Sequence, residues 1–102
     1  MTVIQVVFHP MALKEYQKSY KWYENKLDFL GERFISEIEK TLSFIVKQPT
    51  LFAYSISTYR IAHVPIFPYS IIYEYLEKEQ LIYIYSIFHQ KRNPLKKYRK
   101  RI

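Results

Sequence analysis

Apolar residues recur along this chain with two different periods, and Pro49 marks the place where one gives way to the other. Before it, Leu13, Tyr16, Tyr20, Tyr23 and Leu27 recur at spacings of three and four, and so do Leu30, Phe34, Ile38, Leu42 and Ile45, with Ile35 and Val46 broadening the second stripe. Each stripe predicts an amphipathic helix. Beyond Pro49, segments near 58–64, 67–76 and 81–89 are rich in Ile, Val, Tyr and Phe at period two, the signature of strands. The polar Glu77-Lys78-Glu79-Gln80 separates the last two, and Pro65 and Pro68 stand between the first two, outside any central ladder. An antiparallel meander is expected there.

Residues 2–8, Thr-Val-Ile-Gln-Val-Val-Phe, are β-branched and apolar on both faces, as in a buried strand ended by His9-Pro10. Pro10 suits a first helical turn, because its missing N–H has no partner there anyway. Asp28 is the expected N-cap of the second helix. Gly31, the sole glycine, falls in that helix's first turn, where it is either tolerated or required by close packing in a hairpin. Helices over 10–27 and 29–48, with Tyr16, Tyr20, Phe34, Ile38 and Leu42 facing the sheet, give an α+β domain of order β-α-α-β-β-β. One such domain accounts for residues 1–102.

With no Cys, thiolate metal sites and disulfides are impossible, and a reducing cytoplasm is the expected compartment. No apolar run approaches the roughly 18 residues needed to cross a bilayer, and no signal-peptide pattern opens the chain, so a soluble protein without membrane association is expected. The net charge of +7 is localised. Nine of the sixteen cationic residues precede residue 90 and balance all nine acids; the rest are Lys91, Arg92, Lys96, Lys97, Arg99, Lys100 and Arg101. A neutral body with a cationic tail suits a polyanion or an acidic protein segment, or else merely solubilises a chain end.

The ordered stretches Phe8-His9-Pro10 with Ala12 and Glu15, Trp22-Tyr23-Glu24, Leu30-Gly31-Glu32-Arg33-Phe34, Pro49, Tyr59-Arg60, Phe67 to Tyr73 and His89-Gln90-Lys91-Arg92-Asn93-Pro94 resemble the RelE/ParE toxin superfamily. The Phe-Pro-Tyr strand and the His-x-x-Arg-x-Pro ending look most like its ParE, or plasmid-stabilisation, branch. The resemblance implies a helical hairpin on a mainly antiparallel four-stranded sheet, and a cytoplasmic toxin neutralised by a cognate antitoxin encoded by an adjacent gene. It implies one of two targets. ParE-like members inhibit DNA gyrase by binding, and RelE-like members cut messenger RNA on the ribosome.

For the nuclease reading the candidate catalytic residues are Arg60, His89, Arg92 and Tyr98, because such chemistry needs a proton carrier and cations for the phosphorane. The resemblance places Arg60 against phosphate, and Tyr98 matches a C-terminal Tyr used by some nucleases. Tyr69-Ser70 stands where that branch has a further Arg, and no Lys lies between Gln48 and Tyr59. Both departures favour the gyrase reading. Target contacts are expected from Lys91, Arg92, Lys96, Lys97, Arg99, Lys100 and Arg101. A small RNA-binding module stacking bases on surplus Tyr rings is a further alternative. His9, His63 and His89 lack metal-ligand spacing, so neither metal nor cofactor is expected. Glu15 and Glu24 read as solvated helix-face residues, Arg60 as a possible partner of Glu74, and Trp22 as core or as a partner anchor.

Overall fold

The computed structural model describes residues 3–92 and 95–102, with the backbone alone at 95 and 96. A strand β1 (Gln5–Phe8) leads into helix α1 (Pro10–Lys26) and helix α2 (Leu30–Lys47), followed by β2 (Arg60–His63), β3 (Tyr69–Leu76) and β4 (Leu81–His89). The expected order holds. The sheet order is β1-β4-β3-β2, with β1 parallel to β4 and the β2-β3-β4 meander antiparallel, so the sheet is mixed.

His9 starts α1 by accepting the Met11 N–H at Nδ1, 3.0 Å away, with Pro10 in the first turn. The start of α2 differs from expectation. Its N-cap is Phe29 and not Asp28, in a left-handed conformation (φ 68°) and without a hydrogen bond from the cap side chain. Glu24 supplies the missing acceptor from α1, taking the Phe29 and Gly31 N–H groups at 3.3 and 3.0 Å. Glu24 is thus a cross-hairpin cap and not a solvated side chain. Gly31 is required by close approach, since a Cβ there would lie 2.8 Å from the ring and the carbonyl oxygen of Tyr20.

Phe34, Ile38, Leu42 and Ile45 of α2 and Tyr23 of α1 are buried against Ala62, Tyr69, Ile71, Tyr73, Ile82, Ile84 and Ile87, with Tyr16 and Tyr20 packed alongside. The α1 stripe is shifted from its expected course: Ala12 is buried, whereas Leu13 and Leu27 are exposed. Trp22 is half exposed, not core. The first strand is also not buried on both faces. It lies at the sheet edge, with Gln5 and Val7 exposed.

β4 is buried along nearly its whole length, and a β-bulge at Tyr85 divides it, because Ile72 pairs with Ser86 while Tyr73 pairs with Ile84. The extra residue shifts the alternation. Ile82 and Ile84 before it and Ile87 after it all reach the helix-side core, while Tyr83, Tyr85 and Phe88 reach the opposite face. There a short 3-10 turn (Leu95–Tyr98) and the chain beyond it lie under the sheet, with Tyr59, Ile61 and Tyr98 closing a second apolar cluster.

Candidate functional site

The helix side of β4 ends in a turn that gathers charge. The Arg92 N–H donates to the His89 carbonyl at 3.0 Å, and the Lys91 N–H donates to His89 Nδ1 at 3.1 Å. Gln90 fastens the turn to β3 by donating from Nε2 to the Tyr69 carbonyl at 3.0 Å. The His89 ring meets Tyr69 edge-on, 5.3 Å between centroids. Burial first, then the charges of Arg92 and Lys91, hold the imidazole below its ordinary range, so it is neutral at pH 7. Since Nδ1 accepts, the proton of the neutral ring sits on Nε2.

Between this turn and α1 lies a cleft of about 400 Å³. Lys18, Ser19 and Trp22 form its helix wall, the end of β4 at Ile87 and Phe88 its floor, with Ile87 turned to the helix side, and Tyr69, His89 and Arg92 its far side. Glu15 also lines it, but that charge is answered. Its carboxylate accepts from Arg99 at 3.0 and 3.2 Å, from the Ser86 hydroxyl at 3.0 Å and from the Ile87 N–H at 3.0 Å. Arg99 in turn donates to the Tyr85 carbonyl at 3.0 Å. β4 runs past the end of β1 here, so an ion pair satisfies backbone groups that the edge strand does not reach. Glu15 is therefore a packing partner, not a solvated residue of the helix face.

The seven C-terminal cations separate into distinct settings. Arg99 is tied to Glu15, and Arg101 makes an exposed pair with Glu79 at 2.8 Å. The Lys97 ammonium lies 5.0 Å from the Phe88 ring centre and 5.2 Å from that of Tyr98. Lys91, Arg92 and Lys100 are exposed. The side chain of Lys96, like Asn93 and Pro94, lies outside the described residues.

Arg60 does not join this group. Its guanidinium donates to the Thr50 and Phe52 carbonyls at 3.2 and 2.7 Å and to the Tyr54 hydroxyl at 2.7 Å, and lies over the Tyr54 ring. It organises the segment after α2. Glu74 is not its partner, but accepts from Tyr85 and Thr58. By register, Arg60 stands four residues along and two strands across from His89, about 16 Å away. Tyr98 is under the other face of the sheet, where its hydroxyl meets Ser55 and its ring meets Tyr59 edge-on. The structure thus brings His89 and Arg92 together and leaves Arg60 and Tyr98 apart from them and from each other.

The remaining candidates have structural partners. His9 caps α1 and His63 Nδ1 lies 2.6 Å from the Ser70 hydroxyl; among the described residues no three His, Asp or Glu side chains could hold a metal. Tyr23, Tyr69, Tyr73, Tyr83 and Tyr85 are buried, and the exposed Tyr54 ring carries Arg60 on one face. No helix among the described residues is long and apolar enough to cross a membrane. Lys18, Ser19 and Trp22 were not expected at the site. The spacing of four between Lys18 and Trp22 puts both on one helix face, but only the fold shows that this face meets the end of β4.

Residues 6–94 match the model of a family described as the ParE toxin of the type II toxin-antitoxin system, parDE. A search of curated proteins by sequence finds no match. Among solved structures, the isolated E. coli RelE toxin superposes with a TM-score of 0.65 at 16% identity, covering 85% of this chain and 84% of that one. The intact E. coli RelBE toxin-antitoxin complex gives 0.64 at 16% identity, covering 83% and 94%. A RelE double mutant in complex with an antitoxin RelBc peptide gives 0.63 at 16%, covering 84% and 82%.

Proposed function

This chain belongs to the ParE toxin family of type II toxin-antitoxin systems, and on that footing we propose that it arrests growth by binding DNA gyrase in the cytoplasm, without catalysing a reaction. A cognate antitoxin encoded beside it holds it inactive. The observation that carries the choice of target is the fate of Arg60. A phosphoryl-transfer site needs its cations aimed at one phosphate together with a proton carrier. Here the Arg60 guanidinium is occupied by two carbonyls and a hydroxyl, on the other face of the sheet from Tyr98 and about 16 Å from His89. Where the nuclease branch has a further Arg, this chain has Tyr69-Ser70, both buried.

The rival reading, a RelE-like ribosome-dependent endoribonuclease, draws on one observation: His89 and Arg92 share a cleft, so one proton carrier and one cation are together. Two assays on one preparation separate the readings. Inhibition of gyrase supercoiling, with no codon-phased cuts by primer extension on translating ribosomes, supports gyrase. Cuts that vanish in His89→Ala or Arg60→Ala would transfer the chain to the nuclease reading.

A further inference from the structure

Among the described residues, every polar side chain that lines the cleft apart from Glu15 is a donor or can serve as one. Lys18 and Arg92 are cationic and exposed, Ser19 has a hydroxyl, and His89 offers Nε2–H while Nδ1 is held by the Lys91 N–H. Glu15 does not cancel them, because Arg99, Ser86 and Ile87 already satisfy its oxygens. Such a ring calls for a guest rich in acceptors and negatively charged. The floor is of another kind. Ile87 and the half-exposed Trp22 form an apolar surface directly beside the donors. A guest that fills both parts carries an anionic head next to a large apolar group.

We infer that this cleft seats an acidic residue and an adjoining large apolar side chain of the antitoxin segment, so that a carboxylate lies between Lys18 and Arg92 and the apolar group against Trp22 and Ile87. The inference rests on the toxin-antitoxin pairing proposed above, and names where on this chain the segment is gripped.

Two observations favour a peptide over a nucleic acid. A polyphosphate backbone needs a continued track of cations, but Arg99 and Arg101 beyond the cleft are spent on Glu15 and Glu79. A stacked base needs an open aromatic face, and Lys26 already lies over the Trp22 ring, 5.0 Å from its centre. The volume of about 400 Å³ lies in the range of small-ligand pockets, enough for a short stretch of side chains.

Trp22 is the only tryptophan in the chain, so 5-fluorotryptophan incorporated into this protein places a single reporter in the cleft. The probe is the unlabelled product of the adjacent reading frame, titrated into the labelled toxin and followed by fluorine resonance. The Trp22 signal should shift on binding. The double variant Lys18→Glu/Arg92→Glu should lose about 100-fold or more in affinity, with its thermal midpoint unchanged because both side chains are exposed. Trp22→Ala provides a second variant without charge reversal, and should weaken binding by about tenfold or more. If the adjacent product does not bind the unaltered toxin, the pairing falls and the inference falls with it. Tight binding that leaves the Trp22 signal in place and tolerates both variants overturns the inference alone. A shift produced by a short RNA but not by the adjacent product overturns it in favour of a nucleic-acid site.

Discussion

Glu15 and Arg99, 84 positions apart in the chain, meet at 3.0 Å beneath the end of β4 with side chains only 22% and 11% exposed. Removing one member leaves the other charged and without its partner, and also frees the Ile87 N–H or the Tyr85 carbonyl. Arg99→Ala should therefore destabilise the fold by about 2–3 kcal/mol, below the cost for a fully buried pair because some water reaches this one. Urea unfolding measures it. A loss under about 0.5 kcal/mol would show that the pair is ornamental.

Stability should fall on mild acidification because of His9. Burial first, and the Arg99 charge second, lower its pKa from 6.5, with Glu15 opposing them. The unfolded chain then binds the proton more readily than the folded one, so this contribution is present above pH 6.5 and is lost as pH falls toward and through the folded value. His9→Asn keeps an acceptor for the Met11 N–H and removes the titration. Its unfolding free energy should vary less between pH 7.5 and pH 5.5 than that of the unaltered protein; equal slopes would remove His9 as the cause.

Two substitutions at the helical hairpin should act in opposite directions. Gly31→Ala gains helix propensity worth about 1 kcal/mol, but puts a methyl group 2.8 Å from the backbone oxygen of Tyr20. Net destabilisation of about 1–3 kcal/mol is expected. Phe29→Gly relieves a left-handed backbone at an exposed position, and should stabilise by about 0.5–1 kcal/mol. Thermal melts of the pair suffice, and a Gly31→Ala protein that melts higher would disprove the close contact.

For growth arrest, His89→Ala and Tyr98→Phe should leave toxicity within about threefold, since neither group is asked to transfer a proton. Neutralising Lys91, Arg92 and Lys100 together should weaken arrest about tenfold or more. Arg99 is left out of this set, because changing it would unfasten Glu15. Colony counts after induction decide between the outcomes. Loss of toxicity on changing His89 alone would favour the catalytic reading.

Periodicity alone was enough to locate both helices and the meander, and it gave the core face of α2 and the meander at Phe34, Ile38, Leu42, Ile71 and Ile84, whose spacing reports burial directly, while the face of α1 came out shifted. It misplaced β1. Val6, Val7 and Phe8 read as buried on both sides, but strand order is a long-range property, and the order puts them at an edge. Capping failed for a similar reason. Asp28 had the right chemistry beside α2, while the acceptor came from Glu24 on the neighbouring helix. Of the candidate site, His89 and Arg92 were legible from local sequence. Lys18, Ser19 and Trp22 were not, since only the packing of α1 against β4 brings them there, and the partners of Arg60 and Arg99 depend on the same tertiary placement.

The position of β4 in the sheet bears on when the protein can fold during its own synthesis. The strand that contacts both β1 and β3 is the last of the four to be made, and among the described residues β1 has no other strand beside it. A nascent chain that has delivered only the first two helices and three strands has a β1 without a partner and a core without Ile82, Ile84 and Ile87. Although β2 and β3 can already pair with each other, β1 must wait for β4 to leave the ribosome, across the longest loop closure in the sheet. Ribosomes that stall or terminate before residue 81 release fragments unable to form the four-stranded sheet. Growth arrest should follow completed chains alone.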